Sequence, residues 1–146
     1  MTPDTDPDRL VALLDLSPHP EGGWYRQTWE AEAKDGGRPA GTCIWFLLKP
    51  GERSHWHRVD AAEIWHFYAG TPVTLSIAPD ADGPATDHRL GPDLLAGERP
   101  QLLVPAGHWQ AAAAGDGWAL LGCTVSPGFR FEGFELAAPG FDIPRG

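Results

Sequence analysis

The sequence is short of several things, and each shortage narrows what the chain does. It has two cysteines, Cys43 and Cys123, far apart in 146 residues. Neither belongs to a C-x-x-C pair, so a redox motif or a disulfide framework is not indicated. Both sit in apolar runs, "GTCIWFLLK" and "WALLGCTVS", and are expected to be buried free thiols. Basic residues are also scarce. There are 11 Lys and Arg against 20 Asp and Glu, a net charge of −9, and the basic residues form no run. Nucleic acid and anionic membrane surfaces are therefore not expected as partners, because both need clustered positive charge. The acidity is read as solubility. No apolar stretch approaches the roughly 20 residues that a bilayer-spanning helix needs. The opening "MTPDTDPDRL" is acidic and has no apolar core, so a secretory leader is not expected and a cytoplasmic, reducing environment is. No G-x-S-x-G, phosphate-binding glycine loop or dinucleotide fingerprint occurs. Ser54 and Ser126 have no triad context, and neither cysteine has a neighbouring positive charge to activate it.

What is present is a globular composition, 42% hydrophobic, of a length that suits one domain over 1–146. "DPDRLVALLDL", residues 6–16, predicts a short helix capped by Asp6 with Pro7 in its first turn and Leu10, Leu13 and Leu14 on one face. The "SPHPEGG" that follows cannot continue it. From about residue 23 to 137 the chain predicts eight to ten short strands. Among them are "WYRQTWE", "TCIWFLLK", "HWHRV", "EIWHFY", "VTLSIA", "QLLVP", "HWQAAAA", "WALLGCTV" and "FRFEGFEL". Turn signals fall between them, supplied by 18 glycines and 15 prolines. Short strands at such spacing predict an all-β sandwich or barrel.

The chemistry concentrates in "GERSHWHRVDAAEIWHFYAG", Gly51 to Gly70. Residues i and i+2 of a strand share a face, so His55 and His57 are expected side by side. Glu63 follows after a break with room for a turn, and the next strand can bring its carboxylate over them. Glu63, Trp65 and Phe67 share strand parity, which sets the carboxylate beside aromatic rings. Ile64, His66 and Tyr68 then face the other side. Burial among rings raises a carboxyl pKa and suits acid–base work. Near the start, "EGGWYRQTW" offers Tyr25 and Arg26 to a substrate. The guanidinium fork of Arg26 is the natural anchor for a carboxylate or phosphate.

Gly51, His55, His57, Glu63 and Gly70 resemble the first motif of the cupin superfamily, and "PAGHWQ", Pro105 to Gln110, resembles its second. More narrowly, "HPEGGWYRQTW", "HRVDAAEIWHFYAG" and "LVPAGHWQAA" are similar to the small single-domain Cupin_5-type group, which includes a yeast cupin-like protein and many bacterial ones. The resemblance runs from about His19 to about Gly140. It implies a cupin-type jelly-roll β-barrel behind a short N-terminal helix, usually as a homodimer, and it implies no single activity. Metal-holding cupins supply two histidines and a glutamate from the first motif and a third histidine from the second. By that pattern the ligands are His55, His57, Glu63 and Gln110, holding one divalent ion such as Mn, Fe, Ni or Zn. The sequence departs from the pattern twice. Gln110 stands where a histidine is usual, with His108 two residues earlier, and the spacer between His57 and Glu63 is longer than usual. An amide oxygen is a weaker ligand than imidazole. A metal-free pocket in which His57 and Glu63 exchange a proton therefore stays open.

These readings predict a small-molecule enzyme with its site at the barrel mouth. His57 and Glu63 are its catalytic residues, and Tyr25, Arg26, Trp65 and Phe67 bind substrate. The reaction expected is proton transfer of isomerase, epimerase or lyase type on a small polar, carbonyl- or sugar-like compound. The alternatives are oxygen chemistry at an iron held by His55, His57 and Glu63, and a non-catalytic ligand-binding cupin.

Overall fold

The computed structural model describes all residues, 1–146. The helix, α1, runs Pro7–Leu14. Asp6 accepts a hydrogen bond from the Asp8 amide and caps its start, while Asp15 turns left-handed and stops it two residues before the end predicted from sequence. Leu13 does not join the buried face and stands 79% exposed. At about 100° per residue, Leu10, Val11 and Leu14 fill one arc, and Leu13 lies well outside it. That arc packs on Leu47, Trp118 and Leu120.

Eleven strands follow: β1 (Ser17–Pro18), β2 (Trp24–Glu30), β3 (Thr42–Leu48), β4 (Arg53–Val59), β5 (Ala62–Gly70), β6 (Val73–Ala78), β7 (Thr86–Leu90), β8 (Gln101–Val104), β9 (Trp109–Ala114), β10 (Ala119–Ser126) and β11 (Phe134–Leu136). They form two antiparallel sheets, β1-β2-β3-β10-β5-β8 and β11-β4-β9-β6-β7. The chain crosses repeatedly between them, as in a jelly roll, and the sheets stay two layers rather than one closed barrel. "FRFEGFEL" yields less strand than its aromatics predict: a single turn at Phe131–Gly133 precedes the three-residue β11. No helix is long and apolar enough to cross a membrane.

Between the sheets the inward residues divide by position along the strands. At one end Phe46, Leu48, Trp65, Val73, Leu75, Val104 and Leu121 form a dry core. At the other end the same strands present Thr42, Ile44, Glu63 and Val125 to a cavity. Each strand changes character within two residues, as from Trp65 to Glu63 on β5. Outside the five-stranded sheet, the C-terminal tail packs Ile143 against Trp56, Ala78 and Trp109. Trp56 Nε1–H donates to Asp142 at 2.9 Å. Cys43 and Cys123 are both free thiols, the second fully buried.

Candidate functional site

The cavity holds about 230 Å³. Its titratable lining includes His19, Glu21, His57 and Glu63, all less than 10% exposed, Gln27 and Thr42 add polar groups, and its apolar lining includes Tyr25, Ile44, Val125, Phe129, Phe131 and Phe134.

His57 enters from β4, but His55 does not accompany it. The register between β4 and β9 slips, so that Ser54 pairs with Ala112 and His57 with Gln110. One extra residue on β4 makes a bulge, and the alternation that would put His55 beside His57 is broken. Ser54 and His57 face inward instead. Trp56 goes to the outer core, and His55 is half-buried with Nε2 2.9 Å from the Ala138 carbonyl. The His55 carbonyl nonetheless matters, because it lies 2.7 Å from His57 Nδ1. A carbonyl only accepts, so Nδ1 carries the proton and the Nε2 lone pair of neutral His57 points into the site.

Glu21 and His19 are the site residues that the strand pattern does not reveal. They come from "HPEGG", a turn closed by His19 N–H to the Gly23 carbonyl at 2.9 Å and Gly22 N–H to the His19 carbonyl at 3.0 Å. The turn is pressed against β4, where the His55 amide donates to the Glu21 carbonyl at 2.7 Å. Gly22 has φ +108°, and a Cβ there would lie 2.1 Å from the Arg53 carbonyl oxygen, so only glycine fits. In a turn no two-residue alternation marks a face. The available signal was the motif itself, with a histidine and a glutamate set among proline and glycine.

Glu21 sits between two ring nitrogens. Its Oε1 is 3.2 Å from His19 Nδ1 and its Oε2 is 3.3 Å from His57 Nε2. Ser54 Oγ–H donates to Oε2. The Glu21 amide donates to His19 Nδ1 at 3.1 Å, so that nitrogen is an acceptor too. Two lone pairs facing a carboxylate would be an unfavourable cluster of acceptors, and a proton on one of the three groups relieves it by removing the charge or turning one contact into a hydrogen bond. Burial selects the group that carries it. It pushes the Glu21 carboxyl up to about 8, against the Ser54 hydrogen bond. It pushes His19 down to about 4, helped by His57. It also lowers His57, against the pull of Glu63. Near neutral pH the imidazoles are therefore neutral and Glu21 is a carboxylic acid.

Glu63 completes the set from β5. Burial raises its carboxyl to about 7, opposed by His57 and by hydrogen bonds from Gln110 and Cys123. Gln110 Nε2–H donates to Glu63 Oε1 at 2.9 Å, and Trp65 Nε1–H donates to Gln110 Oε1 at 2.7 Å. An indole N–H only donates, so it must meet the amide oxygen, and the amide nitrogen is left for Glu63. Gln110 thus offers no oxygen to a metal ion. His55 is turned to Ala138, and no group of three or more His, Cys, Asp or Glu side chains is placed to hold a metal. The set His55, His57, Glu63 and Gln110 does not fit a divalent ion in this arrangement.

The other expected site residues divide. Tyr25 lines the cavity. Arg26, its neighbour on β2, faces outward and pairs with Asp15 at the end of α1. Trp65 and Phe67 pack in the dry core, where Trp65 reaches the site only through Gln110. His66 and Tyr68 lie on the outer face, with His66 Nε2 3.1 Å from Thr124 Oγ1 and Tyr68 against Trp45. His108 sits in the turn before β9 and does not line the cavity.

A two-sheet jelly roll with a buried acid–histidine pocket at one end defines a cupin-type domain. Residues 8–137 match the family described as Cupin superfamily (DUF985), and the chain belongs to that family. Among solved structures, protein SO0799 from Shewanella oneidensis is 44% identical, with TM-score 0.84, over 92% of this chain and 85% of that one. A hypothetical protein from Leishmania major is 28% identical, with TM-score 0.83, over 94% and 90%. Oxalate decarboxylase from Bacillus subtilis is 18% identical with TM-score 0.64 over 84% of this chain but only 30% of that one, a likeness of fold alone. No curated protein matches the chain.

Proposed function

We propose that the pocket is the active site of a small-molecule enzyme that moves a proton beside a carbonyl group, in an isomerase-, epimerase- or lyase-type reaction. The observation that carries this reading is Glu21 held between the lone pairs of His19 and His57. His57 Nε2 is the base. It takes a proton from the carbon next to the carbonyl, and its Nδ1–H stays on the His55 carbonyl throughout. Glu21, protonated at the start, is placed to give its proton to the developing oxyanion and to recover one from His57. Glu63, with a carboxyl near 7, is a second acid or base for return of the proton. Tyr25 and the phenylalanines give the cavity an apolar wall, which strengthens each of these interactions. Oxygen chemistry at an iron held by His55, His57 and Glu63 draws no support from the donor set, because His55 is turned to the Ala138 carbonyl.

The test is solvent exchange. The protein is incubated in D₂O with a panel of small ketones and hydroxyketones, and loss of the C–H signal beside the carbonyl is followed by proton NMR. The reading predicts enzyme-dependent exchange for at least one compound, abolished by His57→Ala. Absence of exchange in every compound shown to bind rejects it.

A further inference from the structure

The pocket lacks a partner that its lining calls for. Glu21 and Glu63 are both buried, yet no lysine or arginine lines the cavity. The arginines around it are engaged elsewhere: Arg26 with Asp15, Arg38 and Arg130 with Asp60, and Arg58 with Glu135. An anionic ligand brought here would meet no basic side chain, and would be repelled by each of the two carboxyl groups that ionises.

The remaining walls favour the opposite charge. Phe129, Phe131 and Phe134 stand edge to face around the cavity, their centroids 4.9, 5.9 and 6.0 Å apart. Tyr25 adds a fourth ring. Aromatic rings clustered beside carboxyl groups are the side chains that recognise organic cations. The chain's net charge of −9 draws cations toward it as well.

We infer that the pocket takes a small organic cation, an amine or quaternary ammonium compound, rather than a carboxylate or phosphate. The juxtaposition of Glu21 and Glu63 with Phe129, Phe131 and Phe134, and no basic side chain among them, carries this. It rests on the reading of this cavity as the ligand site and narrows the substrate to one that bears a positive nitrogen. The ammonium group would approach the carboxyl oxygens of Glu21 and Glu63 and favour their ionised forms, so that they give up protons on binding, and its alkyl substituents would fill the aromatic side.

The test uses three compounds of nearly one shape and different charge: choline, the neutral 3,3-dimethylbutan-1-ol, and anionic 3,3-dimethylbutanoate. Each is titrated into the full chain by calorimetry. Choline should bind at least tenfold more tightly than the alcohol, and the anion should not bind. Phe131→Leu, at an exposed rim position, should keep the fold and weaken choline several-fold. Equal or tighter binding of the alcohol or the anion overturns the inference, and so does failure of all three at millimolar concentration. The two readings fail separately. Choline binding with no carbonyl compound exchanging protons removes the proton-transfer reading alone. Exchange on a neutral compound without choline binding removes this one alone.

Discussion

The indole N–H of Trp65 donates to the side-chain oxygen of Gln110 at 2.7 Å, and this bond decides which way the Gln110 amide faces. The amide nitrogen is thereby turned to Glu63, 2.9 Å away. A position that would serve metal binding in a histidine-bearing cupin here orients a carboxylate.

Replacing Gln110 with methionine should therefore act through Glu63. The carboxylate loses a donor, its pKa rises further from about 7, and the pH profile of activity shifts upward. A hydrogen bond to a charged group contributes about 1.5–3 kcal/mol, so activity at neutral pH should fall roughly tenfold or more. The Trp65 N–H is orphaned as well, which costs roughly 1–3 kcal/mol of stability and lowers Tm. A lower Tm with an unmoved pH profile would mean that Gln110 serves packing alone.

His55 makes the contrasting prediction. Its Nε2 bonds the Ala138 carbonyl and not the cavity. His55→Ala should leave activity within a few-fold of the parent and leave any bound metal, measured by elemental analysis, unchanged. Loss of a stoichiometric metal on this substitution would restore the four-ligand set that the geometry disfavours.

The stability of the fold should depend on pH in a definite direction. Glu21 has its carboxyl raised to about 8 from 4.5, so its folded form binds the proton more tightly than the unfolded chain. Its contribution is complete below about pH 4.5 and is lost as pH climbs to about 8. Glu63, raised to about 7, acts in the same sense. His19, lowered to about 4, acts oppositely: burial favours its neutral form, so stability is lost as pH falls below about 6.5. Glu21→Gln keeps an acceptor for Ser54 and removes the titration. Relative to the parent it should gain about 1–3 kcal/mol between pH 5 and pH 8, read from urea midpoints. A difference that stays flat across this range contradicts a buried protonated Glu21.

Gly22 supports the turn that delivers Glu21. With φ +108° and the Arg53 carbonyl 2.1 Å from any added Cβ, Gly22→Ala must shift the turn. A loss of at least about 2 kcal/mol is expected, together with loss of activity, because His19 and Glu21 move with it. A variant with parent-like Tm and activity would show that the turn does not set the site.

Much of the architecture was legible in the sequence because strands and turns announce themselves locally. The capped helix, the run at Thr42–Leu48 and the alternation at Val73–Ala78 all have periodic or punctuating signals. The site was legible only where strand alternation held. Glu63 on β5 follows it. His55 does not, because a bulge is a register event between β4 and β9 and leaves no mark on β4 alone. Arg26 could have been set aside by the same rule, since Tyr25 beside it faces inward and adjacent strand residues cannot both do so. His19 and Glu21 escaped because their placement depends on how a turn docks against a distant strand.

The central claim is that Glu21 is a carboxylic acid at neutral pH, held between two neutral imidazoles. Carbon-13 NMR of protein labelled at the glutamate carboxyl carbons reads this directly, with Glu21→Gln assigning the signal. The account predicts a Glu21 resonance that keeps its protonated shift through pH 7 and titrates near 8. A resonance already at its carboxylate shift by pH 6, with a midpoint near 4.5, would contradict it.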